Sequence, residues 1–173
     1  IGLAVVVYSL GAADPRREMF GYHPLIHVLL MGVCRSFLTG DIFNLYVTLE
    51  LLGLSAVGLV AARGGTESVA AAMRYLLANL MGSGLFLLGV ALVYGTYGTV
   101  STAVLVPLVE AEAPPAVFVA AGAMLVGLLL KTALFPFHFW LPPAHGEAPA
   151  PVSALLSALV IKASFYLILR LWL

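Results

Sequence analysis

The sequence predicts an all-α, polytopic transmembrane helix bundle, and three observations carry that prediction. The 173 residues are 62% hydrophobic and only 9% charged, against about 25% charged residues in a soluble domain. Apolar runs near the length of a bilayer crossing, about 20 residues, recur along the chain. The apolar runs show no period-two alternation, and an open sheet edge cannot face lipid.

Each element follows from its local sequence. The opening run, IGLAVVVYSL (1–10), has no Met and no basic flank, so it does not read as a signal peptide. It is too short to span and is expected to be the last half of a helix in a longer protein. GAADPRREMFGYH (11–23) holds Asp14, Pro15, Arg16, Arg17 and Glu18 and reads as a loop. Helices are expected at about 24–39, 42–62, 67–95, 116–140 (broken) and 149–173, forming a single transmembrane domain. Asp41 follows a Thr39-Gly40 turn and can cap the helix after it, as Thr66 can the next. The stretch 95–115 is mixed, with a short interfacial helix interrupted by Pro107. LPPAHGEAPAP (141–151) reads as a loop, with Pro149 and Pro151 tolerated in the first turn of the final helix.

Charge orients the bundle. Arg16, Arg17 and Arg63 fall on one side, with Arg74 nearby, and Asp41, Glu110 and Glu112 on the other. The positive-inside rule places the loops 11–23, 62–68 and 141–148 in the cytoplasm. The formal net charge of zero excludes a nucleic-acid partner, because no basic stripe exists for phosphate. The single cysteine, Cys34, cannot form an intrachain disulfide and reads as a small core residue. Glycine-rich phosphate loops, GxSxG and metal-ligand spacings are all missing, so no catalytic site, metal or cofactor is expected.

Three charges sit where charges are expensive. Glu50, Lys131 and Lys162 fall deep in expected spans, Glu50 roughly 13 Å and Lys162 roughly 18 Å along their helices. Each costs about 2.5–3.5 kcal/mol at the bilayer centre. They are tolerable if they face one another or a hydrated cavity. Desolvation and pairing pull a buried lysine's proton affinity in opposite directions, which suits a proton relay; the other reading is an ion pair that pins helices together. Pro136 is expected to break the helix after Lys131 by depriving the Thr132 carbonyl of its donor. Unwound backbone at that depth is accepted only beside protein or a water-filled cavity. His138 and His145 could take up protons from the cytoplasm, histidine being the side chain that titrates near neutrality; alternatively they are hydrogen-bonded polar residues. Trp140, with Phe137 and Phe139, reads as an interfacial anchor. Arg35 is given a structural role. Asn44 and Asn79 are expected to bond between helices, and MGSG (81–84) to pack closely against a neighbour.

FLTGDIFNLYVTLELL (37–52), MRYLLANLMGSGLFLLGVALVYGTYGT (73–99) and KTALFPFHFWLPPAHGEAPAPVSALLSALVIKASFYLILRL (131–171) resemble the proton-conducting antiporter-like membrane subunits. That family includes the D-type component of Mrp-type Na+/H+ antiporters and the antiporter-like subunits of complex I and membrane-bound hydrogenases. The resemblance implies a bundle of about fourteen spans built from inverted repeats, each with a broken helix. This chain would supply the end of the third span and the fourth to eighth, essentially one repeat. Glu50 matches the fifth-helix glutamate, Lys131 the lysine of the broken seventh helix, and Lys162 the eighth-helix lysine. Arg35 stands where a small or neutral residue is expected. The resemblance further implies a multi-pass protein of the cell inner (plasma) membrane. Its partners would be other membrane subunits of a hetero-oligomeric complex, and its ions protons, with Na+ as the candidate exchanged cation.

Overall fold

A computed structural model describes residues 1–11 and 21–172; the loop expected around Asp14–Glu18 lies outside the described residues. The helices are α1 (Gly2–Gly11), α2 (Tyr22–Leu38), α3 (Ile42–Ala61), α4 (Thr66–Tyr97), α5 (Thr102–Ala111), α6 (Pro115–Lys131), α7 (Leu141–Glu147), α8 (Ala150–Leu155) and α9 (Ile161–Trp172). A 3₁₀ turn, His138–Trp140, leads into α7, and a π-helical turn, Leu156–Val160, joins α8 to α9. There is no strand among the described residues, and one isolated bridge pairs Asp41 with Ser101. Among the described residues, three helices are long and apolar enough to cross a membrane: α3, α4 and the combined helix Ala150–Trp172. With 32 residues, α4 extends about 48 Å and outreaches a hydrocarbon core of about 30 Å.

Local chemistry fixes the ends. Asp41 caps α3, its carboxylate accepting from the Asn44 N–H at 2.8 Å. Asn44 therefore serves its own helix start; its side chain is exposed. Thr66 is the first residue of α4 and the cap position is Gly65, without a side-chain bond. Ser68 instead donates to the Val60 carbonyl at 2.8 Å, tying the start of α4 to the end of α3. At the opposite end, the Ile42 and Thr102 N–H groups bond to the Val100 and Gly40 carbonyls, both at 2.9 Å. Arg170 reaches across to donate to the Ser36 and Thr39 carbonyls at 3.2 and 2.6 Å, satisfying the C-terminal end of α2. Arg63 lies 3.6 Å from Glu147, so the α3–α4 loop and the end of α7 share one end of the bundle.

Helices α4 and α6 form the most extensive pairing, with α2–α3 and α3–α4 next. Glycine makes the first of these possible. A Cβ on Gly82 would lie 2.9 Å from the Gly127 carbonyl and 3.1 Å from Lys131 Cγ, and one on Gly127 would strike the Gly82 carbonyl. Close backbone approach of this kind is how helices gain van der Waals contact in lipid, where hydrophobicity alone does not drive them together. Two apolar clusters result. One gathers Ile26, Leu29, Leu59, Leu130 and Leu155; the other gathers Leu45, Leu49, Phe86, Leu128 and Leu167. Cys34, which reads in the sequence as a core residue, is exposed on α2. The apolar run around it has a lipid-type exterior, so hydrophobicity there does not report burial.

Gly127→Ala is expected to force α4 and α6 apart and to lower stability by about 1–3 kcal/mol, the usual cost of overpacking. The thermal unfolding midpoint of the detergent-solubilised full-length protein measures it; an unchanged midpoint would contradict the close-packed geometry.

Candidate functional site

Lys131 ends α6, and the residue is 7% exposed. Its ammonium donates to Asn79 Oδ1 of α4 at 2.6 Å and approaches Glu50 Oε1 of α3 at 3.5 Å. Ser83 Oγ, also on α4, donates to that same Glu50 oxygen. Asn79 and Ser83 are four residues apart and so share a helix face. Asn79 has room because α3 carries Gly53 opposite: a Cβ there would collide with the Asn79 amide. Three helices thus converge on one buried ammonium.

The chain leaves the helix immediately after Lys131, and the break has a definite form. The Ala133 N–H bonds to the Leu130 carbonyl and the Leu134 N–H to the Leu129 carbonyl, both at 3.2 Å. This is a Schellman closure with Ala133 in the left-handed position usually held by glycine (φ 54°). That conformation costs a non-glycine residue roughly 1–2 kcal/mol. The helix therefore terminates ahead of Pro136, which lies in the exposed non-helical segment after a cis Phe135–Pro136 bond. Trp140 also departs from the interfacial anchor that the sequence suggests. It is 1% exposed, stacks on Tyr75 at 4.3 Å between centroids, and donates to the Leu130 carbonyl at 2.9 Å. The indole serves the broken end of α6. Phe139 remains exposed.

A small cavity of about 10 Å³ adjoins Lys131, lined among others by Tyr75, Asn79, Trp140 and Ser164. That is near the lower limit, about 10–15 Å³, for holding one water. Asn79 Nδ2 is buried without a hydrogen-bond partner among the described residues.

The remaining sequence candidates lie apart from this cluster. Lys162 is exposed on the first turn of α9, and His138 is exposed at the start of the 3₁₀ turn. His145, expected in a loop, is on α7, where Pro142 and Pro143 fit because first-turn residues need no N–H partner. Its Nδ1 lies 2.6 Å from Ser153 Oγ of α8. Arg35 is exposed and forms no ion pair among the described residues. Sequence reasoning does not find Ser83 or Arg170 as functional polar groups. For Ser83 a signal exists: its i, i+4 spacing from Asn79, on the helix that faces Glu50.

An apolar helical bundle that buries a lysine at a broken helix, against a glutamate of the neighbouring span, is the architecture of an antiporter-like membrane subunit. The assignment becomes particular by similarity: residues 39–173 match the family described as NADH:quinone oxidoreductase/Mrp antiporter, transmembrane, and the chain belongs to it. Over 173 residues it is 34% identical to the D-type component of the Na(+)/H(+) antiporter of Bacillus subtilis, covering 99% of this chain and 35% of that protein. It is 38% identical over 179 residues to the N-type component of the NADH-quinone oxidoreductase of Desulforudis audaxviator, covering 98% and 34%. Among solved structures it superposes on a chain of the membrane-bound sulfane sulfur reductase, an archaeal respiratory membrane complex, with a TM-score of 0.89 and 34% identity, covering 98% and 36%. The chain thus spans about a third of the length of these relatives.

Burial holds the His145 imidazole below its ordinary proton affinity. An unfolded chain takes up that proton first, so the stability contributed by the α7–α8 junction is present above about pH 6.5 and falls as pH drops below it. His145→Asn, which keeps a polar atom near Ser153, is expected to weaken the loss of thermal stability between about pH 7.5 and 5.5. Identical pH dependence in the variant and the parent full-length protein would contradict this.

Proposed function

We propose that this chain is the proton-handling part of a membrane subunit in a multisubunit monovalent cation/proton antiporter. Lys131 is the central proton carrier and Glu50 its switchable partner. Lys162 is the next station on the lateral path. Protons reach Lys131 from the cytoplasm by way of His138 and His145, and the loops 62–68 and 141–148 face that compartment. The observation that carries this reading is buried Lys131 paired with half-buried Glu50 at a helix break, 3.5 Å apart. An ion pair kept only to pin helices has no need of unwound backbone beside it, whereas a group that moves protons needs nearby polar backbone and room for water. The exposure of Lys162 fits a residue whose counterpart lies on another subunit or on a further part of a longer chain. Partner membrane subunits would cover that face.

A second reading has its own support. The similarity to a quinone oxidoreductase component and to a respiratory complex fits the same channel driven by electron transfer elsewhere in an assembly. No redox group need reside in this chain for that.

The test uses everted vesicles carrying the complete native complex. They are energised and followed with a ΔpH-sensitive dye as Na+ is added. Collapse of ΔpH on adding Na+, lost in Lys131→Ala, is the expected result. A fully active, normally folded Lys131→Ala variant would overturn the relay. A parent complex indifferent to Na+ and K+ but able to acidify vesicles with an electron donor would select the second reading.

A further inference from the structure

Lys131 and Glu50 do not meet alone. The shortest contact of the ammonium is to Asn79, at 2.6 Å, and Glu50 is the longer one at 3.5 Å. Ser83 donates to Oε1, the same Glu50 oxygen that Lys131 approaches. Both intermediaries are neutral, both stand on one face of α4, and both are buried, at 4% and 3% exposure. Separating a buried ion pair is normally prohibitive because each charge is left unpaired. Here each charge would keep a hydrogen bond after separation: Asn79 already accepts from the ammonium and Ser83 already donates to the carboxylate.

We propose that Asn79 and Ser83 form a bracket that holds Lys131 and Glu50 when the pair opens, and so sets how fast the pair can switch. They are positioning residues, acting through Lys131 and Glu50. The inference rests on the relay reading above. Asn79 Nδ2, buried and unpartnered, leaves the amide a free donor beside the cavity that Lys131 and Ser164 also line. The bracket can therefore follow the ammonium with its carbonyl while its NH₂ group finds water. The i, i+4 spacing of Asn79 and Ser83 lets a single span address both charges.

Other titratable groups near the bracket are few. Among the described residues, Glu50 on α3 and Tyr75 on α4 are the ones around Lys131. On the helices packed against α6, Glu67, Arg74, Tyr94 and Lys162 are exposed, Tyr97 donates to the Glu112 carbonyl, Tyr166 packs against Phe37, and Arg170 is engaged with the end of α2. A pH response that changes at position 79 therefore reports this cluster.

The experiment measures transport rate against pH in vesicles bearing the complete complex, for the parent, Asn79→Leu, the isosteric Asn79→Asp, Ser83→Ala and Lys131→Ala. Asn79→Leu removes the ammonium's interim acceptor, a charge-assisted bond, and is expected to slow transport about tenfold or more. Ser83→Ala is expected to slow it less. Asn79→Asp places a second carboxylate against Lys131, holds its proton more firmly, and is expected to move the alkaline limb of the pH–rate profile to higher pH. Parent-like rates in Asn79→Leu, or a parent-like pH profile in Asn79→Asp with normal folding, would overturn the bracket while an inactive Lys131→Ala leaves the relay standing. An active Lys131→Ala would remove the relay itself.

Discussion

One buried ammonium sets the terms for the structure around it. An alkylammonium in an apolar bundle needs oxygen acceptors, and it needs them delivered without opening the interior to lipid. Lys131 receives one from each of two other helices, Asn79 from α4 and Glu50 from α3. Delivering side chains from two helices onto a third requires the backbones to come close. Gly53 gives the Asn79 amide its space, Gly82 gives the lysine stem its space, and Gly127 admits the α4 backbone. These glycines are best understood through the lysine they accommodate. The two apolar clusters then close over the pair from both sides, with Leu130 in one and Leu49 and Leu128 in the other.

The helix break is assembled from groups close at hand. Ending α6 at the lysine leaves carbonyls that must find donors, and the chain supplies them locally. Two come from its own backbone through the turn at Ala133, and a third is the Trp140 indole, which returns to the Leu130 carbonyl. Stacking on Tyr75 fixes that indole to α4, the helix that also carries Asn79. The broken end of α6 is thus anchored to the same span that addresses its lysine. Beyond it, the His145–Ser153 contact carries the connection from α7 to α8.

Much of this is legible in the sequence, for identifiable reasons. The helical membrane class follows from bulk composition. Glu50 and Lys131 stand out because a charge in an apolar run has no cheap explanation. The cap at Asp41 follows from a short-range rule that tertiary structure does not override. What stays hidden is relational. Asn79 is expected to bond between helices, but its partner depends on Gly53 standing opposite, a fact of three-dimensional register. Ser83 reads as packing because small residues serve both packing and hydrogen bonding. Pro136 draws attention as the helix breaker, while the closure lies earlier and uses an alanine in a conformation that sequence rules reserve for glycine. Trp140 reads as an interfacial residue because aromatic clusters near span ends usually are, and its burial is set by a carbonyl ten residues away. Lys162 draws attention as a charge within an apolar run, yet it is exposed on the first turn of α9, away from the Lys131 cluster, because hydrophobic context alone does not report which face of a helix is buried.

The placement of Trp140 also gives the molecule a native optical probe. The chain contains only two tryptophans, and the other, Trp172, lies partly exposed near the far end of α9. An indole in face-to-face contact with a phenol and bonded to the carbonyl beside Lys131 has an emission governed by those two contacts. Any rearrangement that lets the broken helix end move away from α4 must disturb at least one of them. With Trp172 replaced by Phe, emission from Trp140 can therefore time the motion of the break directly, without a label and without reference to ion flux.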